Sequence, residues 1–146
     1  MQPITQFDLA TLTKLVEEYI PFNKFLGLKL HNFDAETGRL TTRLELRPEF
    51  VGNAQRQMPH GGILSFVIDA TSGVAAAAAL DDPALAVKLS TVDMRVDYLK
   101  PARGQTLYTH SEVMRSGNRT IVVRSEIVDE VETRVALGLN VFNVSR

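Results

Sequence analysis

Between His60 and Leu80 the chain runs His-Gly-Gly-Ile-Leu-Ser-Phe-Val-Ile-Asp-Ala-Thr-Ser-Gly-Val and then five alanines and a leucine. No other stretch limits the possible folds so strongly. Ile63, Leu64, Phe66, Val67, Ala70, Val74 and Ala78 recur at the three-and-four spacing of an α-helix. The run is apolar nearly all round, which predicts a helix buried on most of its surface. Asp69 breaks it, between Ile68 and Ala70. Gly62, Ser65, Ser72 and Gly73 stand at helical spacing from Asp69, so one narrow stripe of small and polar residues crosses an oily cylinder. A carboxylate placed there is costly unless hydrogen-bonded or paired, and burial is expected to raise its pKa from about 3.9. Two readings are open. Asp69 is a general base or nucleophile, or it is a structural carboxylate held by a backbone amide or an arginine.

The alanines at 75–79 let a sheet come close to the helix and curl around it. The rest of the chain supplies that sheet. Residues 8 to 20 predict an amphipathic helix with Asp8 as N-cap and Leu9, Leu12, Leu15, Val16 and Ile20 on one face. Pro21 stops it, and Phe22, Phe25 and Leu26 form an apolar knot in the connection, with Phe22, Phe25 and Phe66 expected in the core or, for the first two, lining an acyl tunnel. Strands are expected at 26–33 and 39–46, then a loop from Arg47 to Pro59. After the helix, Asp81-Asp82-Pro83 breaks the pattern. Strands follow at 87–99, 106–116, 120–129 and 134–144. In the first of these, Val92, Met94, Val96 and Tyr98 share one face by alternation, and Asp93, Arg95 and Asp97 the other. Four successive strands with tight turns demand antiparallel pairing. The expected class is α+β: an antiparallel sheet wrapped around one long central helix, with an extra helix at the N-terminus.

The 146 residues suit one domain with a sizeable core. A net charge of −1 gives no basic footprint for nucleic acid. The absence of cysteine excludes disulfides, thiolate zinc sites and a cysteine nucleophile. His31, His60 and His110 have no metal-site spacing. The first apolar region carries Asp8, Glu17 and Glu18 without a basic start, unlike a signal peptide. No other stretch approaches the roughly 18 apolar residues of a membrane span. A cytoplasmic protein without membrane partners is expected.

Two stretches resemble a known family. Asn53 to Asp69 (Asn-Ala-Gln-Arg-Gln-Met-Pro-His-Gly-Gly-Ile-Leu-Ser-Phe-Val-Ile-Asp) and Thr91 to Gly104 (Thr-Val-Asp-Met-Arg-Val-Asp-Tyr-Leu-Lys-Pro-Ala-Arg-Gly) are similar to the hotdog-fold acyl-CoA thioesterases. The similarity is to the PaaI-like branch, related to phenylacetyl-CoA thioesterase and human thioesterase superfamily member 2, and it covers roughly 24–144. It implies a homodimer joined sheet edge to sheet edge, often paired again into a tetramer. It also implies an acyl-CoA thioester held between subunits at the start of the central helix, and no cofactor beyond the CoA of the substrate. By position, Asp69 matches the catalytic acid, Gly61 the glycine whose N–H binds the thioester carbonyl, and His60 and Asn53 polar residues lining the pocket. Asn53 stands seven residues before His60 where relatives have six, so Gln55 or Gln57 could fill its role. Thr91 matches a Ser or Thr on the next strand that in some members helps hold the water. By strict alternation, though, it faces away from the core unless a bulge or a dimer contact intervenes.

The chemistry agrees with these positions. The first turn of a helix has unpaired N–H groups and a positive dipole end, so Gly61 and Gly62 can donate to a developing oxyanion. Asp69 lies about 10 Å further along the axis at 1.5 Å per residue. That is too far for both to act on one carbonyl within a subunit, and it favours Gly61 from one chain and Asp69 from another. His60 is open to a second reading as a helix cap. Ser65 reads as a small packing residue lining the site, since no histidine completes a triad. Ser72 and Gly73 leave room for an acyl chain. Arg103 and Arg119, at turns, are either solvated or grip CoA phosphates. A 3-hydroxyacyl-thioester dehydratase would need a histidine on the helix body, and a non-catalytic acyl-CoA sensor would have no use for Asp69.

Overall fold

The N-terminal helix begins where its cap predicts. The computed structural model describes residues 7–146, and in it Asp8 accepts a hydrogen bond from the Thr11 N–H at 2.7 Å to open α1 (Leu9–Lys14). A π-helical turn, Leu15–Tyr19, carries the helix on. Pro21 ends this run and at once starts α2 (Pro21–Leu26), because proline at the first helical position gives up no hydrogen bond. The expected knot is therefore a helix, closed by Gly27 at φ 79°. Its Phe22 and Phe25 are 56% and 72% exposed and so are not core; Phe22 takes the other reading and lines a cavity, Phe25 does not, and Phe66 is half-buried.

Strands β1 (Lys29–Asp34) and β2 (Arg39–Glu45) follow. The expected loop at 47–59 holds a 3-10 turn (Pro48–Phe50) and a small hairpin of β3 (Val51–Asn53) and β4 (Met58–Pro59). The central helix α3 spans Gly61–Ala78. Asp82 caps a 3-10 segment, Pro83–Lys88, which delays the next strand by two residues. Then come β5 (Leu89–Tyr98), β6 (Thr106–Ser116), β7 (Thr120–Val128) and β8 (Arg134–Val144).

Six strands make one antiparallel sheet in the order β1-β2-β6-β7-β8-β5. It curls around α3, whose Ala75, Ala76, Ala77 and Ala78 are all buried. Closest approach falls at Gly138 of β8: a side chain there would overlap Ile68 Cγ2 and stand 3.1 Å from Ile68 Cδ1. Among the described residues α3 is the one helix long and apolar enough to cross a bilayer, and it is the core of this sheet.

The edge strand β5 departs from simple alternation. Thr91 pairs with Phe142 and Asp93 with Val141, so Val92 is an extra, bulged residue. The bulge puts Leu89 and Thr91 in phase with Met94, Val96 and Tyr98, whose β8 partners are Val144, Phe142, Asn140, Gly138 and Ala136. Val92 leaves the face expected for it and is 60% exposed. The resemblance required Thr91 to turn inward, and this single insertion turns it.

Candidate active site

Asp69 lies in the third turn of α3, on the side facing the β8–β5 edge of the main sheet. Its Oδ1 accepts from Thr91 Oγ1 at 2.9 Å and from Asn140 Nδ2 at 3.1 Å. Oδ2 has no hydrogen-bond donor among the described residues. The carboxylate is half-buried, less enclosed than expected, because it borders a cavity of about 730 Å³ between α3, α2 and the start of β5. Among the described residues neither an arginine nor a backbone amide holds it, as the structural reading would need. One face of the carboxylate is fixed and the other is open.

That cavity is mostly apolar, its polar lining being Tyr19 and Asn23 besides the Asp69 end. Ser65, Gly73 and Thr91 line it with Asp69, and Phe22, Phe66, Val74 and Ala77 supply much of the wall. Ser72, expected to leave room here, does not reach it. Its side chain is buried and its Oγ donates to the Ile68 carbonyl at 2.6 Å. Ser65 Oγ is 2.5 Å from Tyr98 Oη.

The start of α3 opens elsewhere. His60 caps the helix: its Nδ1 accepts from the Gly62 N–H at 2.8 Å, so Gly62 is not free to donate to a ligand. His60 N–H is bound to the Phe50 carbonyl at 2.7 Å, and Ile63 N–H to the His60 carbonyl at 2.9 Å. Gly61 N–H is the one amide of this turn without an acceptor among the described residues. Of the two oxyanion donors expected, one remains. The cap also fixes the neutral imidazole with its proton on Nε2, a donor. Gly61 borders a second cavity, about 300 Å³, with Leu64, Tyr98, Leu99 and Lys100.

Asn53, Gln55 and Gln57 lie on the exposed β3–β4 turn, where Asn53 Oδ1 accepts from the Arg56 N–H at 3.0 Å and Gln57 Nε2 donates to the Ala54 carbonyl at 2.7 Å. Arg103 and Arg119 are exposed at opposite ends of the sheet. Arg103 stands beyond Tyr98, and the Arg119 carbonyl is bound by Val144 N–H at the other end. Among the described residues no three His, Asp or Glu side chains gather as a metal-ligand set.

Asn140 escaped the sequence reading. It is fully buried, and its signal is a polar residue in the inward phase of β8, among Ala136, Gly138 and Phe142. Asn23 escaped too, since six residues of α2 are too few to show a period.

Comparison with known proteins shows the family of the chain. The thioesterase superfamily profile matches residues 58–136, from the hairpin before α3 into β8. The chain is 31% identical over 137 residues to the medium/long-chain acyl-CoA thioesterase YigI of Escherichia coli, covering 84% of this chain and 87% of that one. A crystal structure from Shewanella oneidensis, described as related to the thioesterase superfamily, superposes with a TM-score of 0.81 at 32% identity, covering 94% of this chain and 95% of that one. A thioesterase of Haemophilus influenzae shares the fold, with a TM-score of 0.83 at 16% identity over 100% and 96% of the two chains. A half-held carboxylate facing an apolar cavity, on a helix wrapped by this sheet, thus belongs to a member of the thioesterase superfamily, a thioester hydrolase with the hotdog fold.

Proposed function

We propose that the protein hydrolyses acyl-CoA thioesters at a site completed by two copies of the chain, with Asp69 from one and the Gly61 N–H from the other. The observation that carries this reading is that Asp69 and Gly61 border different cavities of one chain. Strand β5 runs between those cavities, giving Leu89, Thr91 and Met94 to the first and Tyr98 to the second. Among the described residues it is an unpaired sheet edge with exposed Val92, Met94 and Tyr98, and such an edge calls for cover. Antiparallel pairing with a second β5 about a twofold axis sets the Thr91 end of each strand beside the Tyr98 end of the other. Each Asp69 then meets the Gly61 end of the partner's helix.

In this site Thr91 and Asn140 hold Oδ1 of Asp69, and Oδ2 takes a proton from the attacking water. The water oxygen bonds to the thioester carbon, and the carbonyl oxygen becomes an oxyanion received by the Gly61 N–H and the positive end of α3. His60 Nε2–H helps to orient that carbonyl. The intermediate collapses, the carbon–sulfur bond breaks, and the departing thiolate takes the proton from Asp69. In the nucleophilic variant Oδ2 attacks the carbon itself, and the carbon–sulfur bond breaks with departure of the CoA thiolate. Water then cleaves the resulting anhydride to free the acid, restore the Asp69 carboxylate and supply the thiolate's proton. The acyl chain lies in the 730 Å³ cavity, and Lys100 and Arg103 stand near the Gly61 end, where CoA phosphates would leave. YigI acts on medium and long chains, and the apolar cavity suits such chains here.

The test is thiol release across a panel of acyl-CoAs by wild type and Asp69→Ala. Turnover is expected to fall at least about 100-fold, as on removal of a general base. Equal rates would reject Asp69 as the catalytic group, and tight binding without CoA release would make the protein a sensor.

A further inference from the structure

Asn23 is a polar side chain set in the apolar wall of the acyl cavity. It is 2% exposed, it borders the cavity, and its Nδ2 has no hydrogen-bond partner among the described residues. Leaving a buried amide donor unpaired costs free energy that an apolar side chain of the same size would not. The fold does not require the side chain. The closing turn of α2 uses the backbone carbonyl of Asn23, which accepts from Gly27 and Leu28 N–H at 2.9 and 3.0 Å. The stability of the single chain therefore gives no account of an asparagine here, and a ligand in the cavity would.

Two bonds set how a chain would run past it. Asp69 pairs with Thr91 and Ser65 with Tyr98, so moving from Asp69 toward Gly73 and Ala77 on the helix means moving back toward Leu89 and Val87. Helix α2 crosses near the beginning of that path. Phe22, next to Asn23, stacks edge-on against Phe66 with ring centres 4.9 Å apart, and Phe66 is one turn from Asp69. Asn23 is thus nearer the thioester than the far end of the cavity.

We propose that the Asn23 amide recognises an oxygen on the acyl chain, so that the favoured substrates are aliphatic acyl-CoAs carrying a hydroxyl or keto group on the thioester-proximal half. This deepens the thioesterase reading and rests on it. A hydroxyl satisfies the amide through either of its ends, and a keto oxygen only through Nδ2.

The experiment compares kcat/KM for chains of equal length, plain or bearing a hydroxyl near the thioester, at mid-chain or at the far end. It uses wild type, Asn23→Leu and Asn23→Ser. Wild type is expected to favour one proximal oxygenated chain over the plain one by roughly 3- to 10-fold, the size of one neutral hydrogen bond. The ratio falls to about 1 or below in Asn23→Leu, and Asn23→Ser, which keeps a donor, retains part of it. Each ratio is taken on one preparation, so partial loss of folded protein cancels. No oxygenated chain surpassing the plain one in wild type, or the same preference in Asn23→Leu, overturns the proposal. If no acyl-CoA releases CoA, the thioesterase reading fails instead. The same comparison is then made with the free hydroxy and plain fatty acids by thermal shift, where loss of a wild-type preference in Asn23→Leu sustains the amide's role and equal shifts refute it.

Discussion

The two flanks of α3 are built for opposite ends. On the flank facing β6, β7 and β8, Ile68, Ala75 and Ala76 are fully buried, and Gly138 brings the sheet so near that not even a methyl group fits. On the flank facing α2 and β5, the same helix offers Ser65, Asp69 and Gly73 to a 730 Å³ cavity. Small residues serve both flanks, by permitting contact on one and by preserving space on the other. Residue size alone does not separate core from site. What separates them is whether a neighbouring element has closed on the residue.

The sharpest way to break this contrast is at the mouth of α3. Gly61→Pro removes the free N–H while suiting the first helical position, and His60 before it already has the extended backbone proline requires. Activity is expected to fall about 100-fold or more, as when an oxyanion donor is lost, with little change in melting temperature. Mixing and reassociating Gly61→Pro with Asp69→Ala should restore about a quarter of wild-type activity, since half of randomly paired dimers are mixed and each has one intact site. No recovery would put both groups in one subunit's site.

Matched substitutions then compare the flanks directly. Gly138→Ala forces a methyl into Ile68 and is expected to cost about 1–3 kcal/mol in a denaturant titration, leaving turnover per folded molecule nearly unchanged. At Gly73 an added Cβ comes no nearer than 3.7 Å to Phe142. Gly73→Ala should therefore stabilise by up to about 1 kcal/mol through helix propensity, and narrow the cavity for the bulkiest acyl chains. Equal costs at the two glycines would dissolve the distinction.

The smallest effect concerns neither flank and serves as a reference. Burial pushes the Asp129 carboxyl up, but the N–H groups of Thr133, Arg103 and Val131, at 2.9, 2.9 and 3.0 Å, outweigh it and hold it below its ordinary value. A lowered folded pKa means stability that is present above the unfolded value, about 3.9, and is lost as pH falls through the folded one. Asp129→Asn should lower the melting temperature at neutral pH, and the gap to wild type should narrow below about pH 4.

Much of this could be read from the residues because periodicity reports burial. The apolar run of α3, the Asp8 cap and the alternation of β2 carried their elements directly. The start of β5 could not be read so, since a bulge obeys pairing with β8 rather than the strand's own pattern. Phe22 and Phe25 could not be told apart, core from cavity wall, because aromatic residues beside a proline look alike whether or not anything covers them, and Phe22 alone lines the cavity. At the site, Asp69 stood out as a charge among hydrocarbons. Asn140 did not, for an amide in an inward phase is visible only once the strand's phase is known. His60 was open to two readings, and only the distance from its Nδ1 to the Gly62 amide makes it a cap.

The bulge at Val92 has an implication for how such a chain can change. Because one surplus residue decides where the Thr91 hydroxyl points, contact with the carboxylate depends on a count of residues as much as on their identity. Losing a single codon there would swing the hydroxyl away from Asp69 without altering any other letter of the site.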